Sequence, residues 1–146
     1  MRPILSGLLF FTLLYLMGDV FVKHSNFGIF SGAINLTLFG DEDQFIDPLT
    51  HSSFLEFWHM EIFFIMMILL TLSAIFIRLS DKSKKQILIT NITMLSSIIS
   101  LLALLASFYL WAYFIELYVL CFFIWHTLAS YMALFSLWKL HYDKSI

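Results

Sequence analysis

The stretch that decides the fold is Phe54–Ile77, which reads FLEFWHMEIFFIMMILLTLSAIFI. A helix needs about 20 consecutive, mainly apolar residues to cross the hydrocarbon layer of a membrane, and this stretch exceeds that length. Its acidic and histidine residues are Glu56, His59 and Glu61, and all three lie near its beginning. We therefore predict a transmembrane helix over Phe54–Ile77 that carries its ionisable groups toward one side of the membrane.

Three further stretches have the same character: Ile4–Val22, Ile87–Tyr113 and Leu117–Leu140. Across the chain, 61% of the residues are hydrophobic and 12% are charged, whereas soluble globular domains have roughly 45–50% and about 25%. No small-residue cleavage pattern follows the first stretch, so we expect it to be retained as a helix. The sequence thus predicts an all-α fold, a four-helix transmembrane bundle, as one integral membrane domain over residues 1–146.

The basic residues are distributed unevenly between the predicted loops. Seven of the eight Lys and Arg residues flank the spans on one side: Arg2, Arg78, Lys82, Lys84, Lys85, Lys139 and Lys144. Lys23 lies on the other side, together with the acidic segment Asp41–Asp47. Because cytoplasmic loops carry the excess of Lys and Arg, we predict cytoplasmic N- and C-termini. The acidic loop then faces outward, into the periplasm if the membrane is a bacterial inner membrane.

The loop between the first two spans contains an uncharged apolar segment, Asn26–Phe39. It is too short to cross the membrane, and it would expose apolar side chains if it lay in water. We predict an interfacial or re-entrant helix on the extracytoplasmic side that ends at Gly40. The pattern Ser53-Phe54-Leu55-Glu56 fits a capping box, which predicts that the next helix begins at Phe54.

Small residues recur at helical spacing on the third and fourth spans. Such stripes let membrane helices approach closely, so we predict that these two helices pack along them. The residues concerned are Ser96, Ser100, Ala103 and Ser107 on the third span, and Ala129, Ser130, Ala133 and Ser136 on the fourth.

Ionisable side chains inside a membrane are costly and mark candidate sites. His126 lies ~14 Å along the fourth span, close to mid-membrane, and its small-residue face predicts that it points into the bundle. Glu56 and His59 lie near the start of the second span, and Asp19 lies at the same level on the first. We predict an outward-facing polar pocket in the outer half of the bundle, formed by these four side chains. Glu61 points away from His59, so it joins this pocket only if protein covers both sides of its helix. Glu116 lies at the turn between the last two spans.

The cofactor that this set would suit is a b-type haem held by His59 and His126. A transition metal held by Glu56, His59 and His126 is the other candidate. The sequence therefore suggests a membrane subunit or binding protein, and it leaves two alternatives open. One is a small oligomeric ion or proton transporter or channel that uses Glu61 and His126, and the other is a purely structural subunit.

The expected partners are the lipid bilayer and either other membrane subunits or further copies of this chain. The formal net charge of −2 argues against nucleic acid. The chain's single cysteine, Cys121, excludes an intramolecular disulfide and a paired-thiol redox centre.

Overall fold

The computed structural model describes residues 2–80 and 84–142, and these form five helices. The helices are α1 (Arg2–Asn26), α2 (Ser31–Phe39), α3 (His51–Leu79), α4 (Lys84–Tyr109) and α5 (Phe114–Tyr142). The described residues contain no strand beyond an isolated bridge between Asp41 and Ile46. The predicted all-α fold with a short extra helical segment between the first two long helices is confirmed.

Four of the helices, α1, α3, α4 and α5, are long and apolar enough to cross a membrane. They have 25, 29, 26 and 29 residues, so each extends beyond the hydrocarbon layer at one or both ends. The helix that corresponds to the third predicted span ends at Tyr109, four residues before the predicted limit at Tyr113. The depths at which the four helices enter lipid, like the single-domain assignment, stay predictions.

The last helix, α5, lies at the centre of the bundle and contacts each of the other four. Its buried surface includes Trp125, His126, Ala129, Met132 and Ala133, whereas α1 exposes most of its apolar side chains. The backbone N–H and C=O groups of each helix form their hydrogen bonds within that helix, so contacts between helices depend on side-chain shape. α5 supplies much of the core, and α1 is the least covered of the spanning helices.

The most extensive helix pair is α4 with α5, and its interface is built from the predicted small-residue stripes. Ser100 and Ala133, one from each stripe, are 1% and 0% exposed. The hydroxyls of Ser96 and Ser107, two residues of the α4 stripe, donate to backbone carbonyls of their own helix, both at 2.7 Å. Since these hydroxyls are already paired within α4, the stripe serves close packing and does not form a polar path.

The two ends of the bundle differ in charge. The first turn of α1 meets the last turns of α3 and α5, where Arg2, Arg78 and Leu140 line one groove. We call this the basic end; its described cations also include Lys84, Lys85 and Lys139. Lys82 and Lys144, which contribute to the predicted charge bias, lie outside the described residues. The opposite end, which carries α2 and the segment Asp41–Asp47, is the acidic end.

At the acidic end, two glycines with positive φ set the path of the chain around α2. Gly28 (φ 91°) precedes the helix and Gly40 (φ 73°) follows it, where the N–H of Gly40 donates to the carbonyl of Leu36. The predicted stop at Gly40 is confirmed. The predicted helix start at Phe54 is wrong, because α3 begins at His51 with Thr50 as its N-cap. The N–H of Ser53 donates to Thr50 Oγ1 at 3.2 Å, so the cap lies one turn earlier.

Candidate functional site

Near the acidic end of the bundle, one buried lysine forms ion pairs with two carboxylates. Lys23 Nζ donates to Glu61 Oε2 at 2.7 Å and to Asp19 Oδ2 at 3.0 Å. Asp19 and Lys23 are four residues apart on α1, so they share one helix face, and Glu61 comes from α3. Lys23 is only 3% exposed, and the two ion pairs therefore lie within the protein and not on its surface.

The histidine of α5 reaches the same carboxylate from the opposite side. His126 Nε2 lies 3.1 Å from Asp19 Oδ2, and both side chains are almost fully buried. The ring nitrogens do not meet hydrogen-bond geometry with any described residue, and the contact with Asp19 is an ion pair only when the imidazole is protonated. The imidazole lies beside the rings of Phe122 and Trp125, with centroids 4.2 and 3.9 Å away. We call Asp19, Lys23, Glu61 and His126 the ion cluster.

With His126 in its neutral form, the charges within the ion cluster do not balance. Asp19 and Glu61 contribute two carboxylates, whereas Lys23 contributes one ammonium group. Lys23 is also stabilised by Phe122, whose ring centre lies 4.6 Å from Nζ. Removing one partner from a buried ion pair strands a charge, at a cost of about 3–5 kcal/mol. The ion cluster is therefore held together tightly, and it presents more carboxylate than cation.

A groove of about 530 Å³ lies between α1 and α3 and has three members of the ion cluster in its wall. Asp19, Lys23 and Glu61 all line it, and its remaining surface is mainly apolar and aromatic. Thr37 of α2 and Leu49 of the following loop cover its acidic end. We call this the α1–α3 groove.

The groove opens sideways, on the outer surface of the bundle. Its lining residues Val22, Met60 and Phe64 are exposed on the surface of the bundle, by 59%, 48% and 42%. In a chain that spans a membrane, such apolar positions face lipid. A lipophilic molecule in the bilayer would therefore meet the groove without first passing through water.

The structure brings together three of the six predicted site residues. Asp19, Glu61 and His126 belong to the ion cluster, and His126 points into the bundle as predicted. Glu61 is buried because α1 and α5 cover its side of α3, and His59, two residues earlier, is exposed. Glu56 is also exposed.

Glu116 lies at the acidic end in a different groove, lined also by Asn35 of α2 and by the α4–α5 turn. It is exposed and takes no part in the ion cluster. The predicted pocket shared by Glu56, His59 and His126 is thus not assembled in the structure.

The residues present do not fit the predicted cofactors. Among residues 2–80 and 84–142, no group of three His, Cys, Asp or Glu side chains is arranged to hold a metal ion. A haem would need His59 and His126 on either side of its ring plane. His59 is on the exposed face of α3, whereas His126 is enclosed by Asp19, Phe122 and Trp125.

The member of the ion cluster that the sequence analysis missed is Lys23. The distribution of Lys and Arg placed Lys23 in the outer loop, as the one basic residue on that side. The signal that could have found it is its spacing from Asp19, since an acidic and a basic residue four apart on a helix pair with one another. A lysine at the end of an apolar helix, with a carboxylate one turn earlier, is a candidate for a buried ion pair.

The fold and the ion cluster define a class: a small polytopic integral membrane protein with buried charges on one side of its bundle. The chain belongs to the Aq_1264_TM family, a transmembrane helical domain, which it matches over residues 31–145. The match begins at α2 and covers α3, α4 and α5, so it leaves out α1, which carries Asp19 and Lys23. No curated protein and no solved structure matches the chain.

Proposed function

We propose that this chain is a membrane-embedded binding protein whose site is the α1–α3 groove. The observation that carries the proposal is the position of the ion cluster in the wall of an otherwise apolar groove. Binding sites for small molecules are typically concave and mainly apolar, with a few fixed polar groups that orient the ligand. The ligand class that matches is a small lipophilic molecule with a polar group, taken up from the bilayer.

The packing of the helices supports a groove that can admit a ligand. α1 packs mainly on α5 and shares few contacts with α3, so these two helices are not closely packed on one another. The ion pair between Lys23 and Glu61 bridges them at one level. A ligand could therefore enter beside the bridge without separating the tightly packed pair α4 and α5.

The ion cluster favours binding over ion conduction. In the described part of the chain, the buried acidic, basic and histidine side chains are Asp19, Lys23, Glu61 and His126, and all belong to the ion cluster. Toward the basic end, the core of the bundle consists of apolar residues such as Leu72 and Phe76, together with hydroxyls. A proton or ion path that used Glu61 and His126 would have no charged group to continue it.

We also propose the orientation that the charge bias predicts: basic end and both termini in the cytoplasm, acidic end outside, in a bacterial inner membrane. The described cations at the basic end, among them Arg78, Lys84 and Lys85, support it. The α1–α3 groove would then open in the outer half of the bilayer. Association with other membrane subunits or with further copies of the chain stays a prediction.

The proposal is tested by filling the groove. Gly18 lines it, and a Cβ atom added there would meet no atom within 4 Å. Gly18→Phe should therefore occupy the groove without disturbing the helix packing. Gly7→Phe is a matched control, since Gly7 lies on the same helix with equally open space.

The measurement is photolabelling in lipid nanodiscs with a small neutral aryl diazirine, followed by peptide mapping. We expect labelling of Tyr15 and Phe57, two half-buried residues of the groove, in the wild type and in Gly7→Phe, and its loss in Gly18→Phe. Equal labelling in all three proteins would mean that the groove does not hold a lipophilic molecule, and the proposal would be wrong.

A further inference from the structure

We infer that the ligand of the α1–α3 groove carries a positive charge. The inference rests on the proposed function and adds the chemical class of what the groove binds. Asp19 and Glu61 line the groove with two carboxylates, and when His126 is neutral Lys23 offsets only one of them. An unmatched charge is costly where water is scarce, so the second carboxylate calls for a proton or a cation. A lipophilic cation in the groove would supply that charge.

The walls of the groove favour a cation independently of this count. Four aromatic residues line it: Tyr15, Phe27, Phe57 and Phe64. The faces of aromatic rings attract cations, and organic cations such as quaternary ammonium groups are recognised by several rings together. Aromatic rings beside an excess carboxylate would attract a large, weakly hydrated cation more strongly than a neutral molecule.

The C-terminal end of α1 makes the electrostatic potential in the groove more negative. The groove reaches the last turn of α1, where Asn26 and Phe27 line it. The C-terminal end of a helix carries a partial negative charge from its free carbonyl groups. The same end would repel an anion.

The lysine does not convert the groove into an anion site. Lys23 already donates to both carboxylates, and its ammonium group lies over the ring of Phe122. With a side chain only 4% exposed, it has little surface left for an added anion. His126 approaches Asp19 from α5, which contributes no residue to the lining of the groove.

The test uses two probes of nearly the same size and shape but opposite charge, tetraphenylphosphonium and tetraphenylborate. Binding to the full chain is measured by equilibrium dialysis in nanodiscs of phosphatidylcholine, with empty nanodiscs subtracted. The variants are Glu61→Gln and Asp19→Asn, each of which leaves Lys23 with one carboxylate. Glu56→Gln is the control, because Glu56 is an exposed carboxylate on the same helix as Glu61.

We expect the wild type to bind tetraphenylphosphonium with higher affinity than tetraphenylborate. Glu61→Gln and Asp19→Asn should each lower the affinity for the cation by about tenfold, as for the loss of one charge contact. Neither should lower the affinity for the anion, and Glu56→Gln should change neither. A purely structural effect would weaken both probes together, so the ratio of the two affinities isolates the role of charge.

Two results would overturn the inference. One is tighter binding of tetraphenylborate by the wild type, and the other is an unchanged affinity ratio in both cluster variants that remain folded. If Gly18→Phe still abolishes diazirine labelling in that case, the groove is a binding site for a ligand of another charge. If Gly18→Phe has no effect on labelling, the proposed function itself fails.

Discussion

Lys23 Nζ and Glu61 Oε2 lie 2.7 Å apart, although the two residues are 38 positions apart in the sequence. This contact joins α1 to α3, two helices that otherwise share few contacts. Because Lys23 also binds Asp19 on its own helix, the carboxylates of the two walls share one ammonium group. The width of the α1–α3 groove at this level is therefore set by an ion pair and not by apolar packing.

Replacing the lysine should destabilise the bundle strongly. In Lys23→Met the side chain keeps a similar length, but Asp19 and Glu61 lose their shared counter-charge inside the protein. Breaking a buried ion pair by removing one partner costs about 3–5 kcal/mol. Equilibrium unfolding in mixed micelles with increasing SDS should report a loss of that size.

Two further variants show whether the loss comes from stranded charge. Lys85→Met removes an exposed lysine at the basic end and should leave the unfolding free energy almost unchanged. Adding Asp19→Asn and Glu61→Gln to Lys23→Met removes every charge that had been stranded and should restore much of the stability. A Lys23→Met protein as stable as Lys85→Met would contradict the buried ion pairs.

Much of this fold follows from the sequence because lipid imposes one strong requirement. A chain that crosses a membrane has to satisfy its backbone groups internally, so long apolar stretches become helices, and all four are found. The start of α3 could not be predicted as reliably. Thr50 and Ser53 are both suitable caps, and the choice between them depends on where the preceding loop brings the chain.

The site was only partly predictable, for a different reason. Asp19, Glu61 and His126 stand out as ionisable residues in apolar stretches, but depth along a helix does not tell which face meets protein. His59 and Glu61 are two residues apart, and only the packing of α1 and α5 decides that Glu61 is the buried one. Lys23 was counted with the outer loop, whereas α1 continues to Asn26 and keeps it inside the helix.

The two histidines should differ sharply when each is replaced. His126→Ala removes a buried ring that contacts Phe122, Trp125 and Asp19, and large-to-small changes in a core cost about 2–5 kcal/mol. His59→Ala alters an exposed position and should change stability by less than about 0.5 kcal/mol. SDS unfolding measures both effects. An absorption spectrum of the purified protein is the further check, since a Soret band lost in both variants would restore the haem hypothesis.

The interface between α4 and α5 should not tolerate larger side chains. Ser100→Leu or Ala133→Leu would place a branched side chain where the residue is now 1% or 0% exposed. Overpacking of this kind typically costs about 1–3 kcal/mol. Thr127→Leu, at an exposed position on α5, is the control. Thermal aggregation in detergent should occur at lower temperature for the first two variants only, and equal behaviour of all three would contradict the interface.

The turn before α2 depends on a glycine. At Gly28, with φ 91°, an added Cβ would lie 2.6 Å from the Cβ of Ala33, so Gly28→Ala is strained both in its backbone and in its contacts. We expect a loss of about 1–3 kcal/mol, measured by SDS unfolding. Gly7→Ala lies within α1 with no atom within 4 Å of the added carbon. It should be neutral or stabilising by up to ~1 kcal/mol, and a similar loss in both variants would argue against strain at Gly28.

The orientation of the chain is tested at the acidic end. Asp43 is exposed in the loop between α2 and α3, so a cysteine placed there should react with a membrane-impermeant maleimide added outside intact cells. The native Cys121 is buried and is first replaced by Ser, so that labelling reports one position. Lys85→Cys in the same background marks the basic end and should react only after the membrane is opened. The positive-inside rule predicts this order from the concentration of Lys and Arg at the basic end.

If Lys85→Cys reacts in intact cells and Asp43→Cys is protected, the chain has the reverse orientation. The α1–α3 groove would then open in the cytoplasmic half of the bilayer, and any ligand would reach it from that side.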